Sequence, residues 1–446
     1  MIDFIKFIVI ALQISLVFVS FPGLASEIDT PFNSKEMHLG VATCASSTCH
    51  GSLSEWVGSN VLQNEFVTWQ ENDPHARSFK TLLNKDSRRI ARNLGLSNAH
   101  EADMCLDCHA DNVPTTSRGP EFQISDGVGC EACHGGAANW ISVHVSGSTS
   151  HAKNIDAGLF PTDQPVPRAR LCLSCHLGTE NQFITHRIMG AGHPRLAFEL
   201  DTYTSTQPSH YNIDSDYQDR KGKIPSINVW AVGQAVAVNA LLENLLDANL
   251  NQDGIFPELV FFDCHSCHHP MSDVRWMPRK DQNSKPGIPR LYDSNMVMLR
   301  VLTSVSNPMD SELIEDTVLK LHSASSLNHD SFVLAADQLL GLTSALPEKL
   351  SNYRFTPTDI RKVLFAVLNA SSDEVYADYS TAEQAGMALS AIFQTMLDDG
   401  LISQANYANL IDLLDSSYKS LKDDERYSPR KFVSALRLIK RSVQRL

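Results

Sequence analysis

The sequence predicts a mainly α protein with little regular strand. A cysteine- and histidine-rich part runs to residue 295, and an all-α part follows over 296–446. Three observations predict this. All ten cysteines precede residue 270 and form five pairs, each with a histidine directly after the second cysteine. Residues 36 to about 180 show no sustained helical or strand period and are dense in Gly, Ser, Asn, Asp and Cys. From Met296 onward cysteine is absent and apolar residues recur at helical spacing.

Length and composition set the frame for these parts. At roughly 100–200 residues per domain, 446 residues with 43% hydrophobic content make two or three domains with a sizeable core. Disorder and a small disulfide scaffold are both excluded. The 37 Lys and Arg against 51 Asp and Glu leave a net charge of -14, which argues against nucleic acid as a partner.

The chain begins with a cation at Lys6, an almost uncharged apolar run over Phe7–Phe21 interrupted by Gln13 and Ser15, and then Pro22-Gly23-Leu24-Ala25. This order predicts a secretory signal over residues 1–25, cleaved after about Ala25. The run falls short of the roughly 20 residues that span a bilayer, and no later stretch is read as long enough to span. The expected mature protein is exported, periplasmic and free of transmembrane segments. In that oxidising compartment unpaired thiols are unusual, so ten sulfurs need an occupation.

The pairs are Cys44-Ala-Ser-Ser-Thr-Cys49-His50, Cys105-Leu-Asp-Cys108-His109, Cys130-Glu-Ala-Cys133-His134, Cys172-Leu-Ser-Cys175-His176 and Cys264-His-Ser-Cys267-His268. Four are C-x-x-C-H, the attachment signature of c-type haem. Two intervening residues put both sulfurs on one side of a short helical turn, and the following histidine is carried beneath the ring as the proximal iron ligand. Zinc knuckles, redox-active cysteine pairs and disulfides do not require that histidine. The first site has four residues between its cysteines, so its loop must bulge to present both thiols, and a disulfide beside an unrelated histidine is the alternative there. The expected cofactor is five covalently attached haems c, and residues 26–295 form a pentahaem cytochrome c domain.

Twelve further histidines could supply sixth ligands: His38, His75, His100, His144, His151, His186, His193, His210, His265, His269, His322 and His329. His193 sits between a Gly-rich turn and Pro194, where the backbone can approach a flat ring closely. His100, His151 and His186 are further candidates. His265 and His269 interrupt or flank the fifth motif and are badly placed for its own iron. His322 and His329 lie in the cysteine-free region and read as ordinary helix or loop residues.

Three stretches reach beyond the attachment motif: Ser47-Thr-Cys-His-Gly51 followed by Trp69 and Asp73-Pro-His75-Ala-Arg77, then Gly127-Val-Gly-Cys-Glu-Ala-Cys-His-Gly135, then Trp140-Ile-Ser-Val-His144. With the second and fourth motifs, their order over about residues 40–180 resembles the tetrahaem cytochrome family of ammonia-oxidising bacteria. That family accepts electrons from hydroxylamine oxidoreductase and shares a haem-stacking motif with it and with pentahaem nitrite reductase. The resemblance implies that His75 and His144 are distal ligands to other haems. It also implies that the haem at Cys105, Cys108 and His109 is five-coordinate, unless this longer chain caps it with an added histidine. Gly190-Ala-Gly-His193-Pro-Arg-Leu196 and Cys264–Pro270 look like segments of larger periplasmic multihaem cytochromes. Nitrite reductases of the pentahaem type attach their catalytic haem through C-x-x-C-K, and no cysteine pair here is followed by Lys.

Farther along, apolar recurrence over Ile227–Leu250 predicts a helix covering the haems. Asp201–Ile224 reads as a loop and Met271–Asn295 as a linker. Over 296–446, a haem-free domain of five or six helices is expected, with Thr381-Ala-Glu-Gln384 as a capping box, Gly400 at a helix end, and Pro357 and Pro429 in first turns. The last helix is basic, with Arg430, Lys431, Arg437, Lys440, Arg441 and Arg445. It reads as a solvated face, with a docking surface as the alternative.

The expected function is electron transfer through the five haems between periplasmic or membrane-associated redox proteins. The alternative is an oxidoreductase acting on a small nitrogen or sulfur compound at one open haem, with Arg77, Lys80, Arg195 or Tyr203 handling protons. A third reading is a scaffold whose helical domain recruits a redox partner. Attachment itself is testable at the third motif. His134→Ala leaves a bound haem with a disturbed iron, whereas Cys130→Ala weakens covalent attachment, read by mass and haem quantification. Retention of five haems and an unchanged spectrum in the Cys130→Ala protein would overturn the assignment there.

Overall fold

The computed structural model describes residues 30–33, 35–59, 61–146, 149–179, 182–248, 250, 256–269, 287–370 and 375–446. The expected signal segment over 1–25 and most of the expected linker over 271–295 lie outside the described residues. Among the described residues the chain is helical throughout, with two isolated bridges, His38 to Arg118 and Phe262 to Leu291, and no strand.

The N-terminal part consists of short helices joined by turns. Its apolar packing is limited to two small clusters, one around Leu82, Ala91, Ala99 and Leu106 and one around Leu94, Ile184, Ile188 and Ala191. Asp201–Ile224, expected as a loop, instead contains helices Leu200–Thr206 and Ser215–Lys221. Each starts on a carboxylate cap that polar composition alone did not reveal. Glu199 accepts from the amides of Asp201 and Thr202 at 2.8 Å, and Asp214 accepts from that of Tyr217 at 2.8 Å.

The main core lies farther along. Helix Ser226–Leu246 is apolar nearly all round, with Ile227, Trp230, Ala231, Val232, Ala235 and Leu242 fully buried. By length and composition it could cross a membrane, which amends the expectation that no later stretch could, but 78% of its most apolar window is buried within the fold. It packs against Pro165–Leu173, Ser294–Ser306, His329–Thr343, Leu346–Asn352 and Tyr379–Asp398. One continuous apolar core therefore extends from Val166 to Val443. This helix is central to the C-terminal helices as well as adjacent to the fourth motif, so the core crosses residue 295.

Eight α-helices, rather than five or six, follow Ser294 among the described residues. Helix Pro357–Asn369 opens with proline after a capping box formed by Thr356 and Asp359. Thr381 is not a cap. Helix Tyr379–Asp398 is capped three residues earlier by Asp378, which accepts from the Thr381 amide at 2.7 Å. Gly400 follows that helix at φ +68°, and Pro429 opens the last one.

Polar side chains inside this core tie it to the cysteine-rich part. Gln384 donates to the Phe198 carbonyl at 3.0 Å and accepts from Gln234 at 2.9 Å. Asn244 donates to the Gly178 carbonyl at 2.9 Å. Buried Arg290 lies 3.3 Å from Asp263 and 3.9 Å from Asp378, joining the fifth motif to a helix start.

Helices Ser226–Leu246 and Leu200–Thr206 approach closely at Gly233, where an added Cβ would stand 2.7 Å from the Leu200 Cβ. A helical Gly→Ala change is ordinarily favourable by ~1 kcal/mol, but here it overpacks two buried backbones. Gly233→Ala is expected to destabilise the fold by about 1–3 kcal/mol, measured by denaturant unfolding; unchanged or raised stability would contradict this packing.

Candidate functional site

Each motif folds as a compact turn. Asp103–His109 and Cys130–His134 are helical, and Pro165–Leu173 runs into a π-helical turn at Ser174–Gly178 that holds Cys175 and His176. At the fifth motif the His268 amide donates to the Cys264 carbonyl at 2.7 Å. The first motif reaches the same closure despite its two extra residues, since the His50 amide donates to the Cys44 carbonyl at 3.2 Å. The additional residues form a bulge closed by Cys49 and Gly51 amides on the Ser46 carbonyl, at 2.8 and 2.9 Å. Gly51 is required in that bulge because an added Cβ would meet the Ala45 oxygen at 1.9 Å.

All ten cysteines are free of disulfides. Thiols of different motifs meet in two places, Cys44 with Cys130 and Cys108 with Cys175. The first and third motifs therefore adjoin along their sulfur edges, as do the second and fourth.

Every motif histidine faces a second histidine. The ring centres lie 5.9 Å apart for His50 and His144, 6.1 Å for His176 and His75, 6.4 Å for His109 and His193, 6.2 Å for His134 and His210, and 6.0 Å for His268 and His186. Planes are near parallel in the first and last pairs, at 19° and 28°, and near perpendicular in the others, at 88°, 81° and 88°. Two metal–nitrogen bonds of about 2 Å each, plus roughly 1 Å from each nitrogen to its ring centre, put trans imidazoles about 6 Å apart. The pairs therefore fit one iron each, with two cysteines beside every pair to bond a porphyrin edge. Among the described residues no three His, Cys, Asp or Glu side chains converge as a zinc site requires.

Several rings are held by their Nδ1 atoms, which leaves Nε2 for a metal. His50 Nδ1 lies 2.9 Å from Glu65, His75 Nδ1 2.8 Å from Asp73, His109 Nδ1 3.2 Å from the Ser78 carbonyl, and His193 Nδ1 2.8 Å from the Pro194 carbonyl. The Glu65 and Asp73 hydrogen bonds raise the basicity of His50 and His75. Burial opposes ionisation of Asp73, yet hydrogen bonds from His75 and Gln207 hold its carboxyl at about 2. Burial keeps His134 neutral, with a pKa lowered to about 3, and His176 likewise at about 4, the form that offers a lone pair.

The other histidines have different partners. Fully buried His38 bonds Asp111 at 2.7 Å, His151 lies 3.0 Å from Asp163, and His322 lies 3.1 Å from Asp293. His100 meets the edge of Phe79, His265 that of Tyr379, and His329 packs on Phe256. The sequence reading did not single out His210, which lies in the segment read as loop, and it ranked His186 no higher than His100 and His151. A histidine seven residues before His193 was the available signal for His186. Of the groups considered for proton handling, Arg77 donates to the Glu71 carbonyl at 3.0 Å, Arg195 to Glu383 at 3.1 Å and Tyr203 to the Ala197 carbonyl at 2.8 Å.

The third motif carries its own structural clamp. Buried Glu131 accepts from the amides of Leu39, Gly40 and Ala137 at 2.8, 2.7 and 2.7 Å. Glu131→Ala leaves these donors without that acceptor and is expected to cost about 2–4 kcal/mol, one unpaired buried donor costing ~1–3. Urea unfolding checks it, and a loss below about 1 kcal/mol would show that water replaces the clamp.

Residues 43–135, which hold the first three motifs, match the family model described as cytochrome c554 and c-prime. No curated protein and no solved structure matches the chain. The family match supports a c-type cytochrome, with covalently bound haem c and a role in electron transfer.

Proposed function

We propose that the chain is an exported, periplasmic cytochrome that carries five covalently attached haems c and relays electrons between redox proteins. The observation that carries this reading is the set of five facing histidine pairs. In each pair, His50, His109, His134, His176 or His268 is the proximal ligand, and His144, His193, His210, His75 or His186 is the distal one. The haems supply one-electron chemistry when bound. The chain's own contribution is to fix ten imidazoles, partly shield rings such as those of His134 and His176 from water, and hold Glu65 and Asp73 on two of the ring nitrogens.

The open-haem oxidoreductase requires an iron with a free side, and each motif histidine here faces a second ring. The geometry therefore favours the carrier. Export rests on residues 1–25. The proposed partners are periplasmic or membrane-associated redox proteins. The resemblance over residues 40–180 makes hydroxylamine oxidoreductase the first to test, through the small, weak interfaces that suit rapid exchange.

Haem quantification and electron paramagnetic resonance on the oxidised protein test the reading. Five haems per chain are expected, all low-spin. Two should give rhombic signals, from the near-parallel His50/His144 and His268/His186 pairs, and three the strongly anisotropic signals of near-perpendicular ring planes. A high-spin ferric component that binds nitrite, hydroxylamine or nitric oxide would replace the carrier with the enzyme. Four haems would remove the Cys44–His50 site.

A further inference from the structure

The facing rings of the second and fifth motifs come from one short segment. His186 opens helix His186–Gly190 and faces His268, and seven residues later His193 faces His109. The segment between them is closed on itself. Thr185 caps the helix through the Ile188 amide at 3.3 Å, Gly192 donates to the Met189 carbonyl at 2.8 Å, and His193 donates to the Ile188 carbonyl at 3.3 Å. Gly192 makes the turn at φ +118°, a conformation that an L side chain strains to adopt.

Both sides of the segment are pinned. Toward the fifth motif, the Glu258 carboxylate accepts from the His186 amide at 2.9 Å and also from that of Val260. Toward the second motif, Asn93 donates to the Ala191 carbonyl at 3.0 Å, and Ile184, Ile188 and Ala191 pack with Leu94. Helix Lys85–Leu94 in turn places Ala91 in the cluster that contains Leu106 of the second motif.

We propose that residues 185–193 form a rigid bracket that supplies the sixth ligand to both the second and the fifth haem. The bracket closes the second iron and makes the fifth haem its neighbour on the electron route. Thr185, Gly192, Glu258 and Asn93 are positioning residues for two sites at once. The proposal rests on the five-haem reading above.

The test uses the intact holoprotein and two signal assignments by electron paramagnetic resonance. His193→Ala should convert one low-spin signal to high-spin and allow the reduced protein to bind one carbon monoxide per chain, identifying the second haem. His186→Met should change one other signal and raise one midpoint potential, identifying the fifth. Gly192→Ala should then shift both identified signals and leave the other three in place. Asn93→Ala is the milder companion where Gly192→Ala fails to fold, and it should disturb the fifth signal from the second haem's side. A shift confined to one signal in these positioning variants overturns the bracket while leaving five low-spin haems in the parent protein intact. A high-spin component or fewer than five haems in the parent overturns the underlying reading instead.

Discussion

The constraint on which the cysteine-rich part depends is a gap of about 6 Å between two imidazoles, repeated five times. Holding that gap requires the backbone on both sides to be fixed, and the two sides are distant in sequence. His144 lies 94 residues beyond His50, and His176 lies 101 beyond His75. Each pair therefore acts as a long-range tie. The run from Glu65 to His75 shows how densely these ties interlock: Glu65 steadies His50, Trp69 donates to the Val128 carbonyl beside the third motif at 3.1 Å, Asp73 steadies His75, and His75 faces His176 of the fourth. Local apolar burial is correspondingly small here, and short helices with tight glycine turns take the place of long elements.

The helical part acts as a frame. Phe198 stacks on His176 with ring centres 4.7 Å apart, and its carbonyl accepts from Gln384 in the core. Asn244 fixes the turn just past His176, while Arg290 holds Asp263 next to Cys264. The fourth and fifth motifs thus depend on residues up to two hundred positions away, whereas Glu131 ties the third to the nearby amides of Leu39, Gly40 and Ala137. The family match covers those first three motifs and ends at residue 135.

The mainly α class and the positions of the motifs were legible because cysteine spacing and helical periodicity are local signals. His75 and His144 stood out through the family resemblance, and His193 through the Gly-rich turn before it. His210 had no such marker. Its place opposite His134 depends on how the Gln207–Tyr211 loop folds back, with Gln207 donating to Asp73 at 2.9 Å, and no local pattern encodes that contact. Helix starts failed for a related reason: Thr381 fits a cap by pattern, but Asp378 is a stronger acceptor three residues upstream and takes the position. The extent of the apolar core was hidden as well, because periodicity shows that Ile227–Leu250 is helical without showing which neighbours cover it.

On the proposed export, the central helix Ser226–Leu246 also bears on how the chain crosses a membrane. A secreted polypeptide passes the translocation channel unfolded, and a 21-residue segment this apolar risks being released sideways into lipid. Asn228, Gln234, Asn239 and Asn244 punctuate it at intervals of five or six residues. In the finished fold these amides bond the Leu350 carbonyl, Gln384, the Thr343 carbonyl and the Gly178 carbonyl. During passage they have no such partners, and an amide in hydrocarbon without a hydrogen bond is costly. If the chain is exported as proposed, the same four side chains that knit the core together also make release of the segment into lipid costly on the way.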